Sequence, residues 1–252
     1  MSEAASARAS RSRATPWLAM LGVLLGVAVL VPPLASFART SEALDALQFA
    51  VLALAVPALV VLGAPWHTLG LIGRLADARA AATPTPWGGV VALAFEVAAV
   101  VAWRTPLAVS AIEHHGWLVV LEAATLVAAG VALWLELVGS FPITPRTTAS
   151  RRIVLAAVAM WTVWIVAYVT GMAHGQGYPG FPHHPGEGLS GVADKQLATA
   201  VLWVAAAAAY MPVVFVNLFA WLGAEERRAP DAASWGLRPD AGTRADEVHP
   251  AH

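Results

Sequence analysis

The chain has 252 residues, 58% of them hydrophobic and 12% charged, with a mean hydropathy of +0.65; a soluble domain carries about 25% charged residues, so a soluble core cannot absorb this excess. A net charge of −1 gives no electrostatic case for a nucleic-acid partner. With no cysteine, disulfides, iron–sulfur clusters, thiolate metal sites and cysteine nucleophiles are excluded, which leaves His, Met, Tyr and carboxylates for any chemistry.

Residues 1–14, with Arg8, Arg11 and Arg13 among Ser and Ala, read as a disordered cytoplasmic start. Six apolar runs follow, each near the ~20 residues that carry a helix across ~30 Å of hydrocarbon. The first, 15–36, is longer than the apolar core of a signal peptide, about 7–15 residues, and the small residues after Pro32-Pro33 make a weak cleavage site; it reads as a span. The others are 43–63, 87–103, 117–140, 152–172 and 197–223, with Pro57, Glu96, Glu122, Glu136 and Pro212 inside them. The expected fold is an all-α polytopic transmembrane bundle in the lipid bilayer, over residues 15–223. Residues 224–252, opening on Glu225, Glu226, Arg227 and Arg228, read as a disordered cytoplasmic tail. There is no repeat of fixed period and no second domain.

Six crossings put both termini on one side, and the cations choose the side. Arg8, Arg11, Arg13, Arg74, Arg79, Arg146, Arg151, Arg152, Arg227, Arg228, Arg238 and Arg244 fall on the side of the termini, against Arg39, Arg104 and Lys195 on the other. Positive charge stays in the cytoplasm during insertion, so both termini are expected there. Trp17, Trp66, Trp87, Trp103, Trp117 and Trp221 sit near the ends of runs, where their amphipathic rings suit the headgroup layer.

Ionisable groups in hydrocarbon are costly and turn into the bundle. Glu96 lies mid-way along the third run, while Glu122 and Glu136, near opposite ends of the fourth, are ~21 Å apart along its axis, too far to share a metal. Interhelical hydrogen bonds, with Thr125, Thr162, Tyr168 or Asn217 as partners, are one reading of Glu96 and Glu122; a proton or metal role is the other. No histidine falls at mid-span, which argues against buried axial ligands for haem. The outer loops instead hold His114, His115, His174, His183 and His184. Between the fifth and sixth runs, a Gly- and Pro-rich connection concentrates Met172, His174, His183 and His184 with Glu187, thioether and imidazole donors that suit copper. Plain loop composition explains the same residues.

Several segments resemble the CtaG family of cytochrome c oxidase assembly factors. Leu47-Gln48-Phe49, then Pro57 and Gly63-Ala64-Pro65, is similar to a stretch of its second span; Asp194-Lys195-Gln196-Leu197 with Trp203 is similar to its motif before the last span. Trp103-Arg104-Thr105-Pro106 and Leu121-Glu122-Ala123 with Gly130 and Trp134 resemble two more of its segments. The pieces cover about residues 43–223 in the family's order. Gln48, Pro57, Glu122, Asp194 and Gln196 are the positions the resemblance carries over, whereas its expected histidines are replaced by Phe49, Arg104 and Ala123. The resemblance implies a multi-pass protein of the bacterial plasma membrane, not an enzyme, whose partners are cytochrome c oxidase subunits and whose candidate metal is copper at the extracytoplasmic face. Independently of it, Asp194 is expected to cap the start of the last span. The alternative function is a small transporter or channel, with Glu96, Glu122 and the in-span prolines lining a path, although no inverted repeat accompanies them. A membrane enzyme has no serine elbow, zinc motif or nucleotide loop to stand on.

Overall fold

The computed structural model describes residues 16–64, 87–140, 145–172 and 191–236, which are helical apart from short turns and connections. Helix α1, Pro16–Leu30, stops before Pro32 and Pro33, and the chain resumes as the short α2, Leu34–Ala38. Two successive prolines remove two backbone donors and crowd the preceding turn, so an unbroken helix over 15–36 does not form. α3, Glu42–Ala50, runs through one π-helical stretch, Val51–Ala55, into α4, Val56–Gly63. α5, Gly88–Trp103, is followed by α6, Pro106–His114, where Thr105 accepts a capping bond from the Ala108 N–H and Pro106 takes the first helical position. α7, Leu118–Leu137, α8, Ala149–Met172, and α9, Gly191–Gly236, complete the order.

Four of these helical segments are long and apolar enough to cross a membrane: Glu42–Gly63, Leu118–Leu137, Ala149–Met172 and Gly191–Arg227. A fifth is obtained if α5 and α6, bent by 68°, are taken as one broken span. The described residues thus hold four or five candidate spans, against the six expected over the whole chain. α1, with 15 residues, reaches only ~22 Å, and α5 is 16 residues long before the Thr105-Pro106 start of a new helix turns the chain. The last helix continues beyond residue 223 to Gly236. Residues 1–14 of the expected start lie outside the described residues.

Packing is of the membrane kind. Ala46, Ala53, Ala129, Ala156, Ala167 and Ala206 are fully buried between helices, while Val120, Val204, Leu107 and Phe219 point outward. Association in lipid depends on close backbone approach rather than on hiding large apolar groups, which selects small residues for the contacts. Pro57 leaves the Ala53 carbonyl without its helical donor, and the π-helical stretch directly before it absorbs the misfit. That carbonyl and the proline ring lie against Gly130 of α7, where any Cβ would overlap the ring. Gly63 likewise has no room for a Cβ beside the Ala19 backbone of α1, and the left-handed residue that ends α4 is Ala64, with φ 45°.

Contacts at the two ends show that neighbouring segments run in opposite directions. At one end the starts of α3, α7 and α9 meet the ends of α1, α5 and α8: Gln48 Nε2 donates to the Val29 carbonyl at 2.6 Å, Trp103 Nε1 to Thr125 Oγ1 at 2.7 Å, and Gly171 packs on Thr199. At the other end, Ser140 Oγ donates to the Val61 carbonyl at 2.6 Å, and Gly89 packs on Leu155. Trp17, Trp87 and Trp117 are exposed near helix ends, as headgroup anchors would be.

Candidate functional site

The end where α3, α7 and α9 begin holds the densest polar cluster among the described residues. Its centre is Asp194, in the first turn of α9 and buried. Its carboxylate accepts from Ser41 Oγ at 2.6 Å, from the Glu42 N–H at 2.7 Å and from the Ala43 N–H at 3.1 Å. A helix start leaves four backbone N–H groups without partners and carries partial positive charge, so an anion there is held by both geometry and field. Asp194 thus stands in the first turn of α9, where the sequence places it, but the helix start that its carboxylate bonds is that of α3, more than 150 residues earlier in the chain. Ser41 completes the cap, its hydroxyl oxygen accepting from the Leu44 N–H at 3.4 Å.

One turn further into α3, Asp45 forms an ion pair with Arg104 at the end of α5, and the guanidinium lies 4.8 Å from the centre of the Phe49 ring. Arg104 is buried, so its charge is offset by the Asp45 carboxylate and by the face of the ring. Two of the three positions where the resemblance expects histidines are thus in contact, but as a cation over a phenyl ring. Ala123, at the third, is buried in α7 and offers a methyl group. Neither Phe nor Ala is a metal donor, and Arg does not deprotonate to become one.

Beside this pair opens a cavity of about 220 Å³. Asp45, Gln48, Arg104 and Glu122 line it together with Arg39 and the apolar side chains of α2 and α6. Two cations and two carboxylates cancel overall, yet Glu122 and Arg39 make no hydrogen bond or ion pair through their side chains with any described residue. Among the described residues no group of three or more His, Asp or Glu could hold a metal ion.

The structure therefore brings Gln48, Glu122 and Asp194 to one end, together with Ser41, Asp45, Arg39 and Arg104. It leaves Gln196 exposed on α9, with no side-chain hydrogen bond to a described residue, and Pro57 deep in the bundle. Met172 is exposed at the end of α8, on the same end as the cluster. His174, His183 and His184 lie outside the described residues. Sequence reading missed Ser41 and Asp45, although a serine just before an apolar run is a helix-start signal, and a carboxylate inside an expected span marks a partner.

Glu96 is 2% exposed, and neither of its carboxyl oxygens has a hydrogen-bond partner among the described residues. The Tyr210 hydroxyl and the Trp134 indole N–H are equally buried and unpartnered, their rings stacked with centroids 5.9 Å apart. The partners expected for Glu96 and Glu122 are engaged elsewhere: Thr125 with Trp103, Thr162 with its own helix, and Asn217 with Val213 and Arg152; Tyr168 is exposed. Glu136 belongs to the opposite end, where its carbonyl accepts from Thr147 Oγ1 and Arg152 bonds the Thr147 carbonyl.

Compared with known proteins, residues 2–224 match a family model described as cytochrome c oxidase caa3 assembly factor (Caa3_CtaG). No curated protein and no solved structure matches the chain.

Proposed function

The chain belongs to the cytochrome c oxidase caa3 assembly factor family, and from that membership we propose that it is a non-catalytic scaffold of the bacterial plasma membrane, which holds cytochrome c oxidase subunits while the complex is built. The observation that carries the scaffold reading is the tied end of the bundle. Asp194 fastens α9 to α3, and Asp45 with Arg104 fastens α3 to α5, so three helices are locked by charge-assisted bonds at a surface that meets the headgroup layer. A guanidinium stands where the resemblance expects an imidazole, which takes that place out of metal handling.

The competing reading moves copper handling to the outer loop, with Met172, His174, His183 and His184 as donors. It requires a Gly- and Pro-rich segment to order around the metal, at about 1–2 kcal/mol per backbone residue fixed. On the scaffold reading, a His174→Ala, His183→Ala, His184→Ala variant supports normal oxidase activity in copper-limited cells. Loss of activity that added copper restores, at normal membrane levels of the variant, would make the loop a copper-transfer site.

In the same reading six segments cross, both termini are cytoplasmic and the polar cluster faces outward. Arg39, Arg104 and Lys195, the whole cationic minority, gather at the cluster end, whereas Arg151 and Arg152 begin α8 at the other. Cysteines placed singly at Ser2 and Ser190 should differ in labelling by an impermeant reagent on intact cells, with only the second reacting; equal labelling contradicts this orientation. The transporter or channel alternative is disfavoured because Glu96 and Pro57 are shut into the packed core.

A further inference from the structure

The cavity beside the Asp45–Arg104 pair has an architecture that an assembly role does not use. Its floor carries Glu122, about one turn inside the start of α7, within electrostatic reach of Asp45 and Arg104. Its rim carries Arg39, exposed at the end of α2. Because Asp45 and Arg104 neutralise each other, the charges left to a ligand are one negative group deep and one positive group at the mouth. Between them the walls are apolar, formed by Ala35 and Ala38 of α2 and by Val109 and Ile112 of α6. Both are short helices at the end of the bundle, beside the exposed Phe37 and Trp117, where headgroups meet hydrocarbon.

We propose that this cavity binds the headgroup of a zwitterionic aminophospholipid, with the ammonium on Glu122, the phosphate on Arg39 and an acyl chain along the walls of α2 and α6. Each part of the ligand answers a feature of the site. An ammonium supplies the donors that the Glu122 carboxylate lacks, and a charge-assisted bond of this kind gains strength where water is thinned out. The phosphate offers the paired oxygens that the planar fork of a guanidinium favours. A purely anionic headgroup satisfies Arg39 but sets its charge against Glu122, with Asp45 already committed to Arg104, so the site selects zwitterion over anion by repulsion as well as by attraction. A basic side chain from a partner protein would satisfy Glu122 but leave Arg39 facing a like charge.

The test uses the full chain, delipidated in mild detergent and titrated separately with phosphatidylethanolamine, phosphatidylglycerol and soluble phosphoethanolamine, with bound ligand read by native mass spectrometry. Phosphatidylethanolamine should bind roughly tenfold or more tighter than phosphatidylglycerol, as one charge-assisted bond implies. The isosteric Glu122→Gln should abolish that preference without weakening phosphatidylglycerol, and Arg39→Gln should weaken both lipids. Unchanged thermal unfolding of the two variants keeps their folding out of the comparison. Equal binding of the two lipids, or a preference that survives Glu122→Gln, would overturn the proposal. Soluble phosphoethanolamine binding as tightly as the lipid would overturn the lipid assignment in favour of a free zwitterion. Absence of lipid selectivity together with loss of oxidase co-purification in Glu122→Gln but not in Arg39→Gln would give the cavity to a basic segment of the partner instead.

Discussion

Asp194→Ala should lower the unfolding free energy in detergent by about 3 kcal/mol. An exposed cap contributes ~1 kcal/mol, but Asp194 is buried and accepts three bonds that cross from α9 to the start of α3. Bonds to a charged group count for about 1.5–3 kcal/mol, and the Glu42 and Ala43 N–H groups would be left buried without their acceptor. Asp194→Asn keeps one acceptor oxygen but turns a donor toward a donor, so it should recover about half of the loss. The cross-chain character of the cap has its own signature: Asp194→Ala and Ser41→Ala should be non-additive by about 1 kcal/mol, as partners in one network are. Additive effects would restore the reading in which Asp194 serves only its own helix. Membrane levels of the variant should fall with its stability, and oxidase activity with them.

Asp45→Ala should cost about 3 kcal/mol, because it withdraws a counter-charge from a guanidinium that is only 6% exposed at its side chain. Adding Arg104→Met should recover most of this loss, since the methionine side chain fills similar volume against the Phe49 ring and brings no charge to be compensated. Denaturant unfolding of the two single variants and the double variant in one detergent measures the coupling. If the double variant were as unstable as the sum of the single ones, the pair would not be the fastening that the geometry implies.

The parts of the fold that were legible in the sequence are those governed by local rules. Apolar runs of the right length marked Leu118–Leu137 and Ala149–Met172 to within a few residues. What escaped were places where one residue overrides a run's average. Pro32 with Pro33 break a hydropathy signal that averages over them, and the run 87–103 forms a helix of only 16 residues, so four or five of the six expected spans are matched by helical segments long and apolar enough to cross. Gly130 and Gly63 stand in segments that carry the family resemblance, but only the neighbouring residues show that a Cβ has no room there. At the candidate site, Gln48, Glu122 and Asp194 were legible through the family resemblance, but their partners were not. Ser41 to Asp194 and Asp45 to Arg104 are separations of 153 and 59 residues, and no local periodicity encodes such pairs. Gln196 shares a motif with Asp194 but not its burial, because two residues along a helix point to different faces.

The central claim is that the chain acts on cytochrome c oxidase by holding it. The direct measurement is co-purification of the chain, tagged at its C-terminus and extracted gently from membranes, in wild-type form and as Asp45→Ala with Arg104→Met. The account predicts that oxidase subunits accompany the wild-type chain in stable amounts, with or without added copper, and that the double variant, folded but with its polar fastening removed, retains fewer of them. Wild-type chain that emerges without oxidase subunits, in cells that depend on it for oxidase activity, would contradict the account.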